Sequence, residues 1–564
     1  MTGLKGWWKL FLILLMVGGL GACSQAARTH DKDMTETRQL LQTGGGAATI
    51  APIEEKVYDK SKPVSAGAMP QISEGAESIH LLELGALYNY LGEYKKSNYV
   101  LEKAYTRYVK EEEKAVVSAS QVGREVVKST VAAGVGEYTM SNYEKVFIHT
   151  LMAFNYLMLG QKEDARVEIR RADEVQKKIK EELDKKEAEA KKNLQTAEDE
   201  ATKQKKSPLD LTKIKSEFDK QTDIPSAIKG DILRIRNGYQ NAMTYLLSAL
   251  VYDMNSDAPD DIRIDLEKAY DLSPVNDYVA KQLYLTYQKL NSQDGMTRVL
   301  QANPNIKTMM PDTLMASAAA SEEQPKSDEV KPNIKKSKKK KGSKKKKEAE
   351  EDTAESVAPV PPKGPAGKSN NVHIFVQIGN APMKERLDLR LPNPISATMA
   401  KISLPVYKSE PARIAQVKIS NGTNIISNTQ PLSNIELLAY RDFNDKLPIV
   451  YAQCVSRLIV QSIKDYILTD KLGFYGAIAG SVMNELLENA DVRAWTSLPK
   501  TIDYSSLTTT ATDLDLSFLD NTGAVVYSQK VVIQPDKVNI VNVRAYDQRC
   551  DVYNTAFAMN KEVK

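Results

Sequence analysis

Hydrophobic positions along this chain change their period once, near its middle. Between His80 and Tyr105, and again between His149 and Ala172, apolar residues return every three or four positions, as on helices with one buried face. The stretch 239–274 repeats the pattern, and 277–290 predicts a further helix that caps the series. From Asn371 the period falls to two, with Val372, Ile374, Val376 and Ile378 on one side of a half-buried strand. Further strands are predicted over 412–420, 433–440 and 538–546, and on either side of Asp520–Gly523, which reads as a hairpin loop. Between these strands, the apolar run 447–468 and the small-residue run 473–490, with Gly476 and Gly480 four apart, predict a helical hairpin. The expected fold class is α + β and multi-domain. It comprises an N-terminal series of helical repeats, a disordered linker, and a C-terminal antiparallel, sandwich-like β domain with the helical hairpin inserted.

Small residues recur within the helical part at fixed offsets. Gly85, Ser97 and Ala104 alternate with the bulky Tyr88 and Leu101, and the second unit repeats them with Ala153, Tyr156, Gly160, Ala165, Ile169 and Ala172. Leu266, Ala269 and Pro274 keep the offsets in a third unit whose turn, Asn255–Asp260, is irregular. Small side chains let antiparallel helices approach while large ones fill the space between them. The arrangement resembles tetratricopeptide (TPR) repeats, which stack into a groove. Tyr88, Asn89, Asn155 and Tyr156 are the candidate groove residues, with packing as the other reading of the two tyrosines. Beyond the second unit, Val175, Ile179 and Leu183 form a sparse stripe on a charged helix, either a solvated extension or a coiled coil for a partner.

The N-terminus supplies an address. Lys5 and Lys9 precede the eight apolar residues Leu10–Val17, too short a run to span a bilayer, and Leu20-Gly21-Ala22-Cys23 matches the lipobox of bacterial lipoproteins. Residues 1–22 are therefore expected to be a signal peptide and Cys23 the lipidation site, anchored by several acyl chains. Ser24, by resemblance to enteric sorting rules, favours the outer membrane and its periplasmic face, with surface exposure as the alternative. Residues 23–73 read as a flexible tether, 74–305 as the repeat domain, 306–370 as the linker, 371–548 as the β domain and 549–564 as a tail. The linker carries ten lysines between Lys335 and Lys347, followed by an acidic block. It is either a self-repelling spacer or a contact for anionic lipid or lipopolysaccharide. Export excludes nucleic acid as its partner.

Composition narrows the chemistry. Across 564 residues, 77 Lys+Arg against 73 Asp+Glu leave a net charge of +4, too balanced for a general polyanion binder. Three Cys make no disulfide framework, and His30, His80, His149 and His373 stand at no metal-ligand spacing. Neither G-x-S-x-G nor a P-loop is present. No catalytic, cofactor or metal residue is assigned. Cys454 reads as core and Cys550 as exposed, so a disulfide between them is not expected. Asp491, Arg493 and Trp495 fall on one face of an extended stretch, where Arg pairs with Asp and stacks on Trp as a structural clip, a binding site being the alternative.

Several longer motifs complete the picture. They are E-L-G-x-L-Y at Glu83–Tyr88, the second repeat unit, N-G-Y-Q-N-A at Asn237–Ala242, and G-x-A-P-x-K with Gly379, Ala381, Pro382 and Lys384. R-D-F-x-x-x-L-P at Arg441–Pro448 and A-D-x-R-x-W-x-x-L-P at Ala490–Pro499 come after them in the chain. Together with the lipobox they resemble a family of Gram-negative lipoproteins that join TPR-like helices to a C-terminal β domain. The resemblance covers roughly residues 75–300 and 371–546. It implies a non-enzymatic envelope scaffold with a protein partner, linked to cell-envelope or peptidoglycan assembly, and carries over no catalytic residue. An envelope hydrolase with an unfamiliar site and a surface adhesin are the alternatives.

Overall fold

The computed structural model describes residues 30, 32–42, 46–62, 64–65, 67–121, 138–205, 211–310, 370–392, 399–422, 424–486 and 490–559. Cys23 and Lys335–Lys347, which carry the lipidation and lysine-tract expectations, lie outside the described residues.

Four antiparallel helix pairs form the N-terminal half: α3 (Ser78–Tyr90) with α4 (Tyr94–Gln121), α5 (Asn142–Met158) with α6 (Lys162–Lys205), α9 (Ala242–Met254) with α10 (Pro259–Leu272), and α11 (Asp277–Lys289) with α12 (Gln293–Ala302). Each pair turns through one residue of left-handed conformation: Gly92 (φ 72°), Gly160 (φ 77°), Ser256 (φ 59°) and Asn291 (φ 53°). In each turn the next amide reaches back across five residues, as in Glu93 N–H to Tyr88 O and Asp257 N–H to Tyr252 O. That closure satisfies carbonyls left open at a helix end. The third turn, irregular in sequence, thus has the same geometry as the others, and the expected cap 277–290 is the first helix of a fourth pair.

Three sheets form the C-terminal half. A five-stranded sheet runs β11 (Cys550–Ala558), β10 (Lys537–Ala545), β1 (Asn370–Ile378), β7 (Thr501–Thr509), β6 (Gln430–Asn434). A four-stranded sheet runs β5 (Asn424–Asn428), β4 (Gln416–Asn421), β8 (Asp513–Leu519), β9 (Val525–Val532), and β2 (Met383–Pro392) pairs with β3 (Met399–Lys408). The larger two pack as a sandwich on Val372, Ile374, Val376, Leu514, Leu516 and Phe518. The pairing is not wholly antiparallel, because β1 and β10 are parallel, from Asn371 beside Val538 to Ile378 beside Ala545.

The other face of β1 is where the structure departs most from expectation. Phe375 and Gln377 turn away from the sandwich and are buried against the helices. Phe375 meets Phe154 edge-on at 5.3 Å, and Tyr504 meets Tyr278 at 6.3 Å. One apolar core joins Leu84, Phe154, Leu247 and Leu283 of the helix pairs to Phe375, Ile502, Tyr504 and Ile540 of the sheet. Helix layer, mixed sheet and second sheet therefore stack as three layers, and β1 is covered on both faces rather than half-buried.

Four further expectations are corrected. Residues 32–42 and Ala51–Val57 are helices (α1 and α2), and Met34, Leu41, Ile53, Val57 and Ile72 enter the main core, so this part of the expected tether is folded. The stretch 433–440 is mostly helical: β6 ends at Asn434, whose side chain accepts the Leu437 N–H at 2.9 Å and starts α13 (Ile435–Leu486). That helix continues unbroken through Pro448, replacing the expected hairpin. The supposed tail contains β11, antiparallel to β10.

Nor is the charged end of α6 simply solvated or a coiled coil. Its Ala197 and Ala201 pack with Ile214 and Phe218 of α7 (Thr212–Gln221), Leu389 and Leu391 of β2, and Val455 and Leu458 of α13. Helix α6 acts as a strut between the repeat array and the β2–β3 hairpin.

Candidate functional site

The groove expected along the first helix of each pair is occupied by the chain itself. Asn89 and Asn155 are fully buried. Asn89 donates to Asn155 Oδ1 at 2.6 Å and accepts from Gln377 Nε2 at 3.2 Å. Asn155 donates to Ser97 Oγ at 2.8 Å and Asn98 Oδ1 at 2.7 Å. Gln377 also donates to Asn542 Oδ1 at 2.8 Å, and Asn542 to Tyr94 Oη at 3.2 Å. This chain of amides crosses from helix layer to sheet and sets where one lies on the other. Tyr88 is buried too, its hydroxyl between Glu54 and Tyr58, while Tyr156 is half-buried on the core's edge. As open groove residues, Asn89 and Asn155 are corrected: the sheet covers them.

Two buried glutamates, one in each of the first two pairs, hold the segment 491–498 against the helices. Glu83 accepts from the Thr496 N–H at 2.8 Å, the Thr496 hydroxyl at 3.0 Å and the Ser497 N–H at 2.8 Å, with His30 Nε2 at 3.3 Å. Burial works against its charge, but the contacts from His30, Ser497 and Thr496 prevail and hold its pKa below the usual carboxylate range. Glu144 closes a capping box with Ser141 at the start of α5, and accepts from Tyr138 at 2.7 Å and the Trp495 N–H at 3.0 Å. Burial first, and then this carboxylate, push the Tyr138 hydroxyl well above its ordinary pKa.

The Asp491–Arg493 pair forms as expected, with Arg493 Nε 2.9 Å from Oδ1 and an η nitrogen 2.8 Å from Oδ2. The ring beneath Arg493 is Tyr138, at 5.7 Å, not Trp495, whose fully buried side chain belongs to the main core. Burial opposes the Asp491 charge, yet Arg493 outweighs it and keeps this carboxyl low.

The other long motifs meet at the same place. Ala381 N–H donates to Leu498 O at 2.6 Å, and Lys384 lies 3.5 Å from Ser141 Oγ and 5.3 Å from the Tyr407 ring. Asp442 accepts from the Asn142 N–H at 3.3 Å and pairs with Lys446 at 2.6 Å. Gly238 abuts the Asp442 backbone so closely that a Cβ would collide with it. Burial lowers the Lys384 pKa, but Tyr407, Glu144, Asp491 and Asp442 together raise it above normal. Sequence reasoning missed Glu83 and Glu144 as anchors. Their signal was a carboxylate inside an apolar helical run, which needs a buried partner.

Each histidine has a structural setting. His149 Nδ1 is 2.8 Å from Glu168, His373 is 2.7 Å from Tyr504 Oη, and His80 lies 5.8 Å from His30, ring to ring. No set of three metal-ligating side chains converges among the described residues. Cys454 is buried and Cys550 half-buried, and among the described residues neither forms a disulfide.

Open features lie on the surface of the described residues as well. A cleft of about 280 Å³ between α6, α9 and α10 is lined by Arg170, Asp173, Lys177, Tyr252, Asp261 and Asp265, among others. A slot of about 370 Å³ separates the edge strands β9 and β11.

No family model matches this chain, and no curated protein does. Among solved structures, the TPR2AB-domain:pHSP90-complex of yeast Sti1 matches over 52% of this chain and 95% of its own, at 15% identity and a TM-score of 0.15. So loose a superposition adds nothing to the TPR-like arrangement, which rests on the four helix pairs and their shared turn.

Proposed function

We propose that this chain is a lipid-anchored scaffold of the bacterial envelope, non-enzymatic, held at the outer membrane through Cys23 and docking a protein partner on the outer side of its helix array. The observation that supports this reading is a helix-pair array made rigid by a sheet on its inner side. Such an array offers its second helices, and the cleft between α6, α9 and α10, as a fixed surface. Four carboxylates (Asp173, Glu174, Asp261 and Asp265) against Arg170 and Lys177 on that cleft favour a partner segment bearing lysine or arginine.

In-cell photo-crosslinking from Glu174 and Ile264, with Cys23→Ala as control, tests it. One dominant envelope protein, lost in the control, is the expected outcome. Absence of any adduct from both positions overturns the cleft as the docking surface. Asn89 and Asn155, beneath the sheet, are unsuitable probe positions.

A further inference from the structure

We infer that the corner of the molecule built from α1, α2 and the chain after α2 lies against the surface of a phospholipid bilayer, while the far end of the helix array points away from it. This rests on the acylation of Cys23 proposed above. The argument is one of chain length. His30 is buried and lies 3.3 Å from Glu83. Just beyond it, Met34 and Leu41 are in the core, and Arg38 donates to Ala381 O at 2.9 Å. Seven residue steps separate Cys23 from His30, which span at most ~25 Å fully extended. A tether of fifty residues would leave the body free to tumble. A leash of this length holds one corner within ~25 Å of the headgroups.

What that corner exposes suits the role. Lys56 pairs with Asp33, placing α2 beside α1. The Tyr58–Ile72 bridge and the Asp59 N–H to Gln71 O bond, at 2.9 Å, draw together the ends of the segment after α2. Within this corner Leu40 is 45% exposed, Val64 52% and Met69 38%, while the exposed Lys32 and Lys60 pair with Glu36 and Glu55. Exposed apolar side chains among paired charges suit the boundary between headgroups and acyl chains. At the other end, Val275 is 69% exposed between α10 and α11, three helix pairs from α3.

The test uses the full lipidated chain in a Cys550→Ser background, labelled with a fluorophore at Val64→Cys or Val275→Cys. It is bound to vesicles of phosphatidylethanolamine and phosphatidylglycerol that carry a headgroup acceptor. Energy transfer several-fold higher from position 64 than from 275 is expected. Inserting a Gly/Ser segment of ~30 residues between Ala27 and Arg28, with an end-to-end distance of ~30 Å, should erase most of the difference. Equal transfer from both positions in the uninserted protein overturns the orientation. The mass of the N-terminal peptide separates the two readings. An unacylated Cys23 sinks the anchor and the orientation together, whereas an acylated Cys23 with equal transfer sinks the orientation alone.

Discussion

Asn89 exchanges hydrogen bonds with Asn155 and Gln377 in a site closed to water. Replacing it by leucine leaves both partners unsatisfied, each at a cost of roughly 1–3 kcal/mol. Asn89→Leu should therefore lower unfolding free energy by about 2–4 kcal/mol, measured by chemical denaturation. Asn155→Leu should cost less in the Asn89→Leu background than in the native chain. The bond between the two is then already lost, and only those to Ser97 and Asn98 are removed. Two buried titratable groups give the molecule opposed pH dependences. Burial, followed by the nearby His30 and Lys56 charges, drives His80 from 6.5 down to about 3. The folded state thus prefers neutral imidazole. Its contribution is complete above pH 6.5 and is lost as pH falls from there toward 3. Burial raises Asp503 from 3.8 to about 6, so its penalty is full above pH 6 and vanishes below 3.8. Asp503→Asn should stabilise the protein at pH 7 by at most ~3 kcal/mol and by nothing near pH 3.5, read from melting curves at the two pH values.

At the scale of elements, the junctions carry the tightest demands. Gly238 precedes α9 and touches the Asp442 backbone of α13, where no side chain can swing aside. Gly238→Ala should drop the melting temperature by ten degrees or more, or prevent folding, while Gly230→Ala, with open space around it, should be neutral or stabilising. Helix pairs were legible because their information is local: period, small residues and turn residues lie within thirty positions of one another. The alternation of β1 was legible as well, but not its cover. Phe375 and Gln377 look the same in sequence whether they face water or a helix layer. The residues 433–440 read as a strand because their apolar run is short, and the Asn434 cap that turns them into a helix was passed over. In α13, the runs 447–468 and 473–490 read as two helices of a hairpin. One helix instead runs from Ile435 through Pro448 to Leu486, with Val455 and Leu458 packed with Ala197 and Ala201 of α6.

At the scale of the whole molecule, sequence showed the α + β class and the order of its parts, but not that the helices and the sheet share one core. That union depends on pairs such as Glu83 with Ser497 and Asn542 with Tyr94, more than four hundred residues apart, and no periodicity reports such distances. It has a direct test. A specific protease site placed in the 311–369 segment, once cut, should leave two fragments that elute together from a sizing column and separate only in denaturant. Fragments that part in buffer would show the shared core to be weak.

The same distances set a timetable. Tyr94 and its partner Asn542 are 448 residues apart, so at ~5–20 residues per second the ribosome needs roughly 20–90 s to deliver the second after the first. Throughout that interval the first helix pairs lack their cover and present apolar side chains to whatever is near. A nascent chain of this design cannot close its shared core until its last strands arrive, so a chain ended before Asn542 should leave the first helix pairs uncovered.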